Sequence, residues 1–207
     1  MNYNESAELL KKYGIKLVPS KLASSKEQAL ETANSFRYPV VLKLISQQFL
    51  HKSDKGLVKL NIKTKKELET AYDELIKKAG SAQIDGILVQ KQARSGVELI
   101  IGGKRDPQFG PLILFGLGGI FVEIFKDISV RLCPIKREDA IEMMHEIQTY
   151  PILAGVRGKK GVNISALAAL LVKVSELMSK EQISELDLNP VIAYEKGYTI
   201  VDVRMLK

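Results

Sequence analysis

Tryptophan is absent from the 207 residues, cysteine occurs once and histidine twice. The lone Cys133 excludes an internal disulfide and a cysteine-rich zinc site. With His51 and His145 the only imidazoles, a histidine-rich metal centre is excluded too. No apolar run approaches the ~20 residues that a bilayer-spanning helix needs. The opening Met1-Asn2-Tyr3-Asn4-Glu5 lacks the basic and apolar regions of a signal peptide, so a soluble cytoplasmic chain is expected. Aromatics are scarce at 6%, and no RRM, KH or zinc-finger signature appears.

What is present is an ordinary globular composition, 45% hydrophobic and 27% charged, with a formal net charge of +7. The length suits one domain or two tightly joined lobes. The basic residues are scattered among acids, as in Lys65-Lys66-Glu67, so a nucleic-acid interface is not expected. A phosphate-rich small ligand or an acidic partner protein fits the same charge.

The periodicity predicts mixed α+β. Ala7, Leu9, Leu10 and Tyr13 mark a first helix that Gly14 stops. Capping boxes at Ser24-x-x-Glu27 and Thr64-x-x-Glu67 open helices to about Phe36 and Ala79. Pro39 to Leu44 reads as a buried strand closing on a lysine, followed by a polar loop, a short strand from Leu57 to Ile62, and a buried strand from Gly86 to Gln90. Beyond this, strand-like runs at 97–101, 112–115, 121–125 and 128–132 suggest an antiparallel sheet. Helices follow at about 137–147 and 164–178, the second apolar on most faces and so buried between layers. Strand-like runs at 184–189, 191–194 and 199–204 close the chain. Two lobes, 1–89 and 90–207, meet near Gln90, with the helix at 4–13 able to pack on the second.

Four features carry chemistry. Lys43, in an apolar strand, either reaches an anion or snorkels to solvent. His51-Lys52-Ser53-Asp54-Lys55-Gly56 sets an imidazole and a cation on a flexible backbone. That imidazole is a possible phosphoryl acceptor, or the stretch is a polar surface loop. Phe115-Gly116-Leu117-Gly118-Gly119-Ile120 lets backbone turn tightly or approach a ligand. In Asp187-Leu188-Asn189-Pro190, alternation puts Asp187 and Asn189 on one face of a strand that Pro190 ends, with Asp202 on the next strand. An oxygen-only pair, Asn189 with Asp202, suits Mg²⁺, which leaves its other positions to phosphate and water. Polar residues of an edge strand are the alternative.

Taken in order, these pieces resemble the ATP-grasp β subunit of the NDP-forming acyl-CoA synthetases. The resemblance is strongest to the ADP-forming acetate–CoA ligases and more distant to succinyl-CoA synthetase. It runs over essentially the whole chain: Tyr38-Pro39-Val40-Val41-Leu42-Lys43, His51-Lys52-Ser53-Asp54, Leu88-Val89-Gln90, Gly96-Val97-Glu98, Phe109-Gly110-Pro111, Phe115-Gly116-Leu117-Gly118-Gly119, Asp187-Leu188-Asn189-Pro190 and Asp202-Val203-Arg204.

The resemblance implies a two-lobed ATP-grasp fold with ATP or ADP in the cleft between the lobes. It makes Lys43 the phosphate-contacting lysine, Gln90 the hinge residue at the adenine edge and Glu98 an acid on the nucleotide side. Asn189 and Asp202 become the Mg²⁺ pair. It implies that His51 is a second phosphohistidine, receiving a phosphoryl group from the histidine of a CoA-binding α subunit in an α2β2 assembly, and that Asp187 orients the travelling phosphohistidine. The reaction implied is acyl-CoA + phosphate + ADP giving acid + CoA + ATP, and the chain carries no CoA-binding Gly-x-Gly-x-x-Gly unit of its own. One departure stands out: Lys55-Gly56-Leu57-Val58 replaces the family's Val-Gly-Gly-Val. That departure supports the alternative, a nucleotide-binding regulatory or accessory module without phosphoryl transfer.

Overall fold

In the computed structural model of the chain, residues 1–46, 56–119, 126–156, 158 and 160–207 are described. In chain order the elements are α1 (Tyr3–Lys12), β1 (Ser20–Ala23), α2 (Lys26–Phe36), β2 (Val40–Ile45), β3 (Val58–Ile62), α3 (Lys65–Ala79), β4 (Gly86–Lys91), β5 (Val97–Asp106), β6 (Gly110–Leu117) and β7 (Ile128–Leu132). Then come α4 (Arg137–Glu146), α5 (Tyr150–Ala154), α6 (Ile164–Lys180), β8 (Glu185–Ala193), β9 (Tyr198–Ile200) and β10 (Arg204–Leu206). They form two compact units: Val18–Arg94, and Met1–Leu17 with Ser95–Lys207. No described helix is long and apolar enough to cross a membrane.

The Val18–Arg94 unit is an antiparallel sheet of order β1-β4-β2-β3 covered on one face by α2 and α3. Val40, Leu42, Leu44, Ile87 and Val89 share a core with Ala29 and Ala33 of α2 and Leu68 and Leu75 of α3. Period-2 alternation therefore turns Val41, Lys43, Leu88 and Gln90 to the opposite face. Thr64 caps α3 as expected, its hydroxyl accepting from Glu67 N at 3.2 Å. The cap of α2 differs by one residue. Ser25, not Ser24, is the extended N-cap and accepts from Gln28 N at 3.3 Å, while the Gln28 side chain accepts from Ser24 N at 3.0 Å. Two adjacent serines are both competent caps, and the one used has a side chain three residues on that reaches back. Nor does β2 end at its lysine: Leu44 and Ile45 continue the ladder opposite Ile87 and Gly86.

The other unit holds a six-stranded antiparallel sheet of order β10-β8-β5-β6-β7, with β9 also on β8. Helix α6 lies on one face. Its Leu167, Leu171, Val174 and Met178 share a core with Leu99, Ile101, Ile113, Phe115, Leu186 and Leu188, and Leu10 of α1 joins it. The approach is close: a Cβ on Gly103 would lie 2.6 Å from Met178 Sδ. The other face carries Ile100, Gly102, Leu112, Leu114 and Asp187 by alternation. On the edge strand, Val130 and Leu132 stand 41% and 56% exposed there.

Two expectations fail at the C-terminal strands. The run through Pro190 is one strand, because Pro190 sits at a β-bulge. Leu188 pairs Ile101 and Val191 pairs Leu99, so Asn189 and Pro190 together oppose Ile100. A bulge is where a sheet tolerates a residue without an N–H. The expected strand at 199–204 is broken at Val201, Asp202 and Val203, between β9 and β10. The strand expected at 121–125 lies outside the described residues.

Candidate functional site

The break and the bulge meet. Ile200 pairs Val191 and Arg204 pairs Asp187, so the register places Asp202 opposite Asn189. Val201 N donates to Pro190 O at 3.0 Å and pins the two irregular segments together. Two oxygen-bearing residues thus stand opposite each other where neither backbone runs as a regular ladder. Asp202 reaches this place from an irregular link rather than from the strand expected for it.

Asp187 lies two residues along the same face of β8. It is half-buried, and its Oδ1 is shielded from solvent with no hydrogen-bond partner among the described residues. Burial pushes its pKa up, the negative charge of Asp202 pushes it further, and Arg204 opposes both. A half-buried carboxylate raised in this way marks a place where a cation or a hydrogen-bond donor is favoured.

Glu98 is exposed on β5, opposite Ile192 of β8. Its carbonyl accepts from Gly118 N at 2.7 Å. A Cβ at Gly118 would come within 3.2 Å of that oxygen, so the glycine-rich stretch is drawn against the Glu98 backbone. Gly116 and Leu117 belong to β6 rather than to a turn.

In the other unit, Lys43 and Gln90 share the sheet face that α2 and α3 leave free, and both are withdrawn from solvent, 4% and 1% exposed. Gln90 pairs with Val41, and Lys43 with Leu88, so the two polar residues stand diagonally across that face with Val41 and Leu88 at the other corners. Sequence reading missed Val41 and Leu88 because a fully buried strand shows no alternation to mark its second face. His51 lies outside the described residues. The other imidazole, His145, is engaged within the fold, Nε2 lying 2.8 Å from Tyr150 Oη.

Of the altered segment after the histidine loop, Lys55 lies outside the described residues, and Leu57 has a packing explanation. Leu57 is 2% exposed in the core beneath α3, and its carbonyl accepts from Leu44 N at 3.0 Å. The leucine is therefore a core residue, while Gly56 keeps the left-handed backbone, φ +63°.

Among the described residues no three His, Cys, Asp or Glu side chains group into a metal-binding cluster. The donor set instead fits an ion satisfied by few protein oxygens: Asn189 and Asp202 stand opposite each other in register, beside a carboxylate with an orphaned oxygen. Mg²⁺ is such an ion, since it keeps positions for phosphate and water.

A family model described as an ATP-grasp domain matches residues 1–206. The β subunit of acetate–CoA ligase [ADP-forming] I from Pyrococcus furiosus is 48% identical over 207 residues, covering 98% of this chain and 89% of that one. Among solved structures, acetyl-coenzyme A synthetase 1 of Ca. Korarchaeum cryptofilum, in complex with coenzyme A, Ca-AMPCP and HgCl+, has a TM-score of 0.96 at 44% identity, covering 100% of this chain and 92% of that one. The same synthetase with coenzyme A and Mg-AMPPCP has its phosphohistidine segment pointing towards the nucleotide-binding site. It gives a TM-score of 0.87 at 42% identity, covering 100% of this chain and 91% of that one.

Proposed function

Because the chain belongs to the ATP-grasp family, among the β subunits of ADP-forming acetate–CoA ligases, we propose that it binds ADP or ATP and passes a phosphoryl group between a CoA-binding α subunit and ADP. The overall reaction is acyl-CoA + phosphate + ADP giving acid + CoA + ATP. The acyl phosphate formed on the α subunit phosphorylates a histidine there, and His51 of this chain takes the group next. Each transfer breaks one bond to phosphorus and forms another, and the last makes the terminal P–O bond of ATP. The observation that carries the reading is the register that sets Asp202 opposite Asn189 beside the half-buried Asp187.

Lys43 meets the nucleotide phosphates with a cation that the surrounding strand keeps from water, where its charge acts strongly. Gln90, Val41 and Leu88 offer one polar and two apolar surfaces to the base. Glu98 lies on the nucleotide side. Asn189 and Asp202 hold Mg²⁺, which when bound neutralises phosphate charge. Asp187 accepts a hydrogen bond from one imidazole nitrogen and leaves the other as nucleophile or leaving group. The partner is an α subunit with its own phosphohistidine, in an α2β2 assembly. The accessory-module alternative loses the part of its support that rested on Leu57, which packing accounts for.

The test is acid-labile phosphate on the chain after incubation with Mg-ATP, read beside calorimetry of Mg-nucleotide binding. His51→Ala should lose the label and keep binding. Lys43→Ala should lose both, and Asn189→Ala and Asp202→Ala should weaken binding only when Mg²⁺ is present. Full labelling of His51→Ala, or unchanged affinity in the other three, would place the chemistry elsewhere.

A further inference from the structure

The open sheet face of this unit extends beyond Asn189 and Asp202. Beside Asp187, a hollow of about 390 Å³ is lined by Arg204, Gly102, Lys104, Leu114 and Val130 among others. That is larger than a phosphoryl group needs and within the range of small-ligand sites, roughly 300–1,000 Å³.

Arg204 stands directly across from Asp187 in the β8–β10 ladder. A guanidinium so placed ordinarily closes on the carboxylate as a two-pronged ion pair. Here the two sense each other electrostatically, and no ion pair forms between them among the described residues. Other arginines of this unit are tied into the fold. Arg105 donates to Met178 O at 2.8 Å and Glu181 O at 2.9 Å, Arg131 pairs with Glu146, and Arg137 donates to Ser165 Oγ at 2.7 Å. Arg204 makes no such bond among the described residues and is exposed. Its five donors remain available to an anion that enters the hollow.

Gly102 opens the same hollow from below. It lies between Asp187 on β8 and Leu114 on β6 in the two ladders. Its φ is not in the left-handed region, and the nearest atom to an added Cβ is Leu114 Cβ at 3.6 Å, an ordinary contact. Neither backbone nor packing requires glycine there. What the missing side chain does is keep the floor of the hollow open next to Asp187.

We propose that Arg204 binds the phosphoryl group brought in on the partner subunit's phosphohistidine segment, and that Gly102 leaves the floor on which the imidazole carrying it is seated. This rests on the proposed function and adds to it the place of arrival. The charge is complementary at both ends. The guanidinium takes the phosphoryl oxygens, and the Asp187 carboxylate takes the far N–H of the same ring. Leu114 and Val130 extend the floor as apolar surface for the flanking chain. A phosphorylated imidazole fits a hollow with an anion acceptor, a hydrogen-bond acceptor and a flat apolar floor. A free phosphate ion would use only the first.

The experiment labels the CoA-binding subunit on its histidine from acetyl-CoA and ³²P-phosphate. It then adds this chain with Mg-ADP and follows label into ATP in a single turnover. Arg204→Ala should slow transfer by about 100-fold, the size seen when one preorganised donor to a reacting anion is removed. Arg204→Lys should recover part of the rate, and Gly102→Val should slow transfer similarly by filling the floor. Mg-ADP affinity should stay within about twofold of wild type in all three. Transfer at the wild-type rate in Arg204→Ala and Gly102→Val would overturn the proposal. A loss of Mg-ADP affinity in Arg204→Ala would also overturn it, by assigning the arginine to the nucleotide's phosphates. If the wild-type chain passes no label to ADP, the proposed function itself fails, an outcome read in the control alone.

Discussion

Asp127 and Asp187 belong to the same unit and are both drawn away from water, yet their surroundings treat them in opposite ways. Burial pushes Asp127 up, but hydrogen bonds from the Thr149 side chain, Gln148 N at 2.7 Å and Thr149 N at 2.8 Å outweigh it and hold its pKa below the ordinary value. Asp187 has an oxygen with no hydrogen-bond partner among the described residues, and its pKa is raised by burial and by Asp202. The first carboxylate is complete, and its bonds join the residue before β7 to the turn between α4 and α5. The second is held incomplete beside a hollow. A fold that satisfies one carboxylate so fully and leaves another wanting has separated what stabilises it from what it works with.

Removing the incomplete carboxylate should have the largest effect. Asp187→Ala should lower turnover of the reconstituted enzyme by about 100- to 10,000-fold, the range for groups that position a reacting imidazole or its proton. Steady-state ATP formation checks it, and a loss under tenfold would make Asp187 a bystander. Next in size, Asp127→Ala should cost about 2–3 kcal/mol in urea unfolding, because buried donors lose a charged acceptor. The sign of its pH dependence follows from a depressed folded pKa. The contribution is present above the ordinary carboxylate range, near pH 4, and lost as pH falls through the folded value. Asp127→Asn should therefore flatten the acid limb of the stability curve. The smallest effect has the opposite sign. Asp187 has a raised pKa, so its contribution falls as pH rises from the ordinary range through the raised value. Asp187→Asn should then melt about 2 °C higher at pH 7, what roughly 0.5–1 kcal/mol gives for a chain of this length. That gain should vanish at pH 3.

The contrast was only half legible in the sequence. Asp187 stands in a strand pattern two residues before Asn189, and alternation alone puts them on one face. Asp127 carries no such mark. Its partners Gln148 and Thr149 lie 21 and 22 residues away, and only the tertiary fold brings them near. Elements with strong local signals were readable to within a few residues, as with α3 behind Thr64 and the strand at Ile128–Leu132. Where two local rules competed, sequence reading failed. The paired serines before α2 gave two possible caps, and Pro190 marked a strand end unless a bulge admitted it. The position of Asp202 opposite Asn189 depends on that bulge, so this part of the site needed the register of the sheet. The free state of Arg204 was likewise invisible, since composition does not say which arginines the fold has already used.

The Val18–Arg94 unit begins and ends on neighbouring strands: Lys91 N donates to Pro19 O at 2.9 Å, and Ser20 pairs with Gln90. Its entry and exit are therefore about one strand spacing apart, close to 5 Å. Seen from Leu17 and Ser95, the whole unit is a guest threaded through a single doorway, and the host's helix α1 and sheet are written on either side of it. Such a guest can be swapped for a relative's version, or cut out and bridged by a short turn, without rewriting a residue of the host's core. Recombination between kindred genes at those two points would exchange the Lys43 and Gln90 surface as one piece, leaving Glu98, Asp187, Asn189 and Asp202 in their original frame.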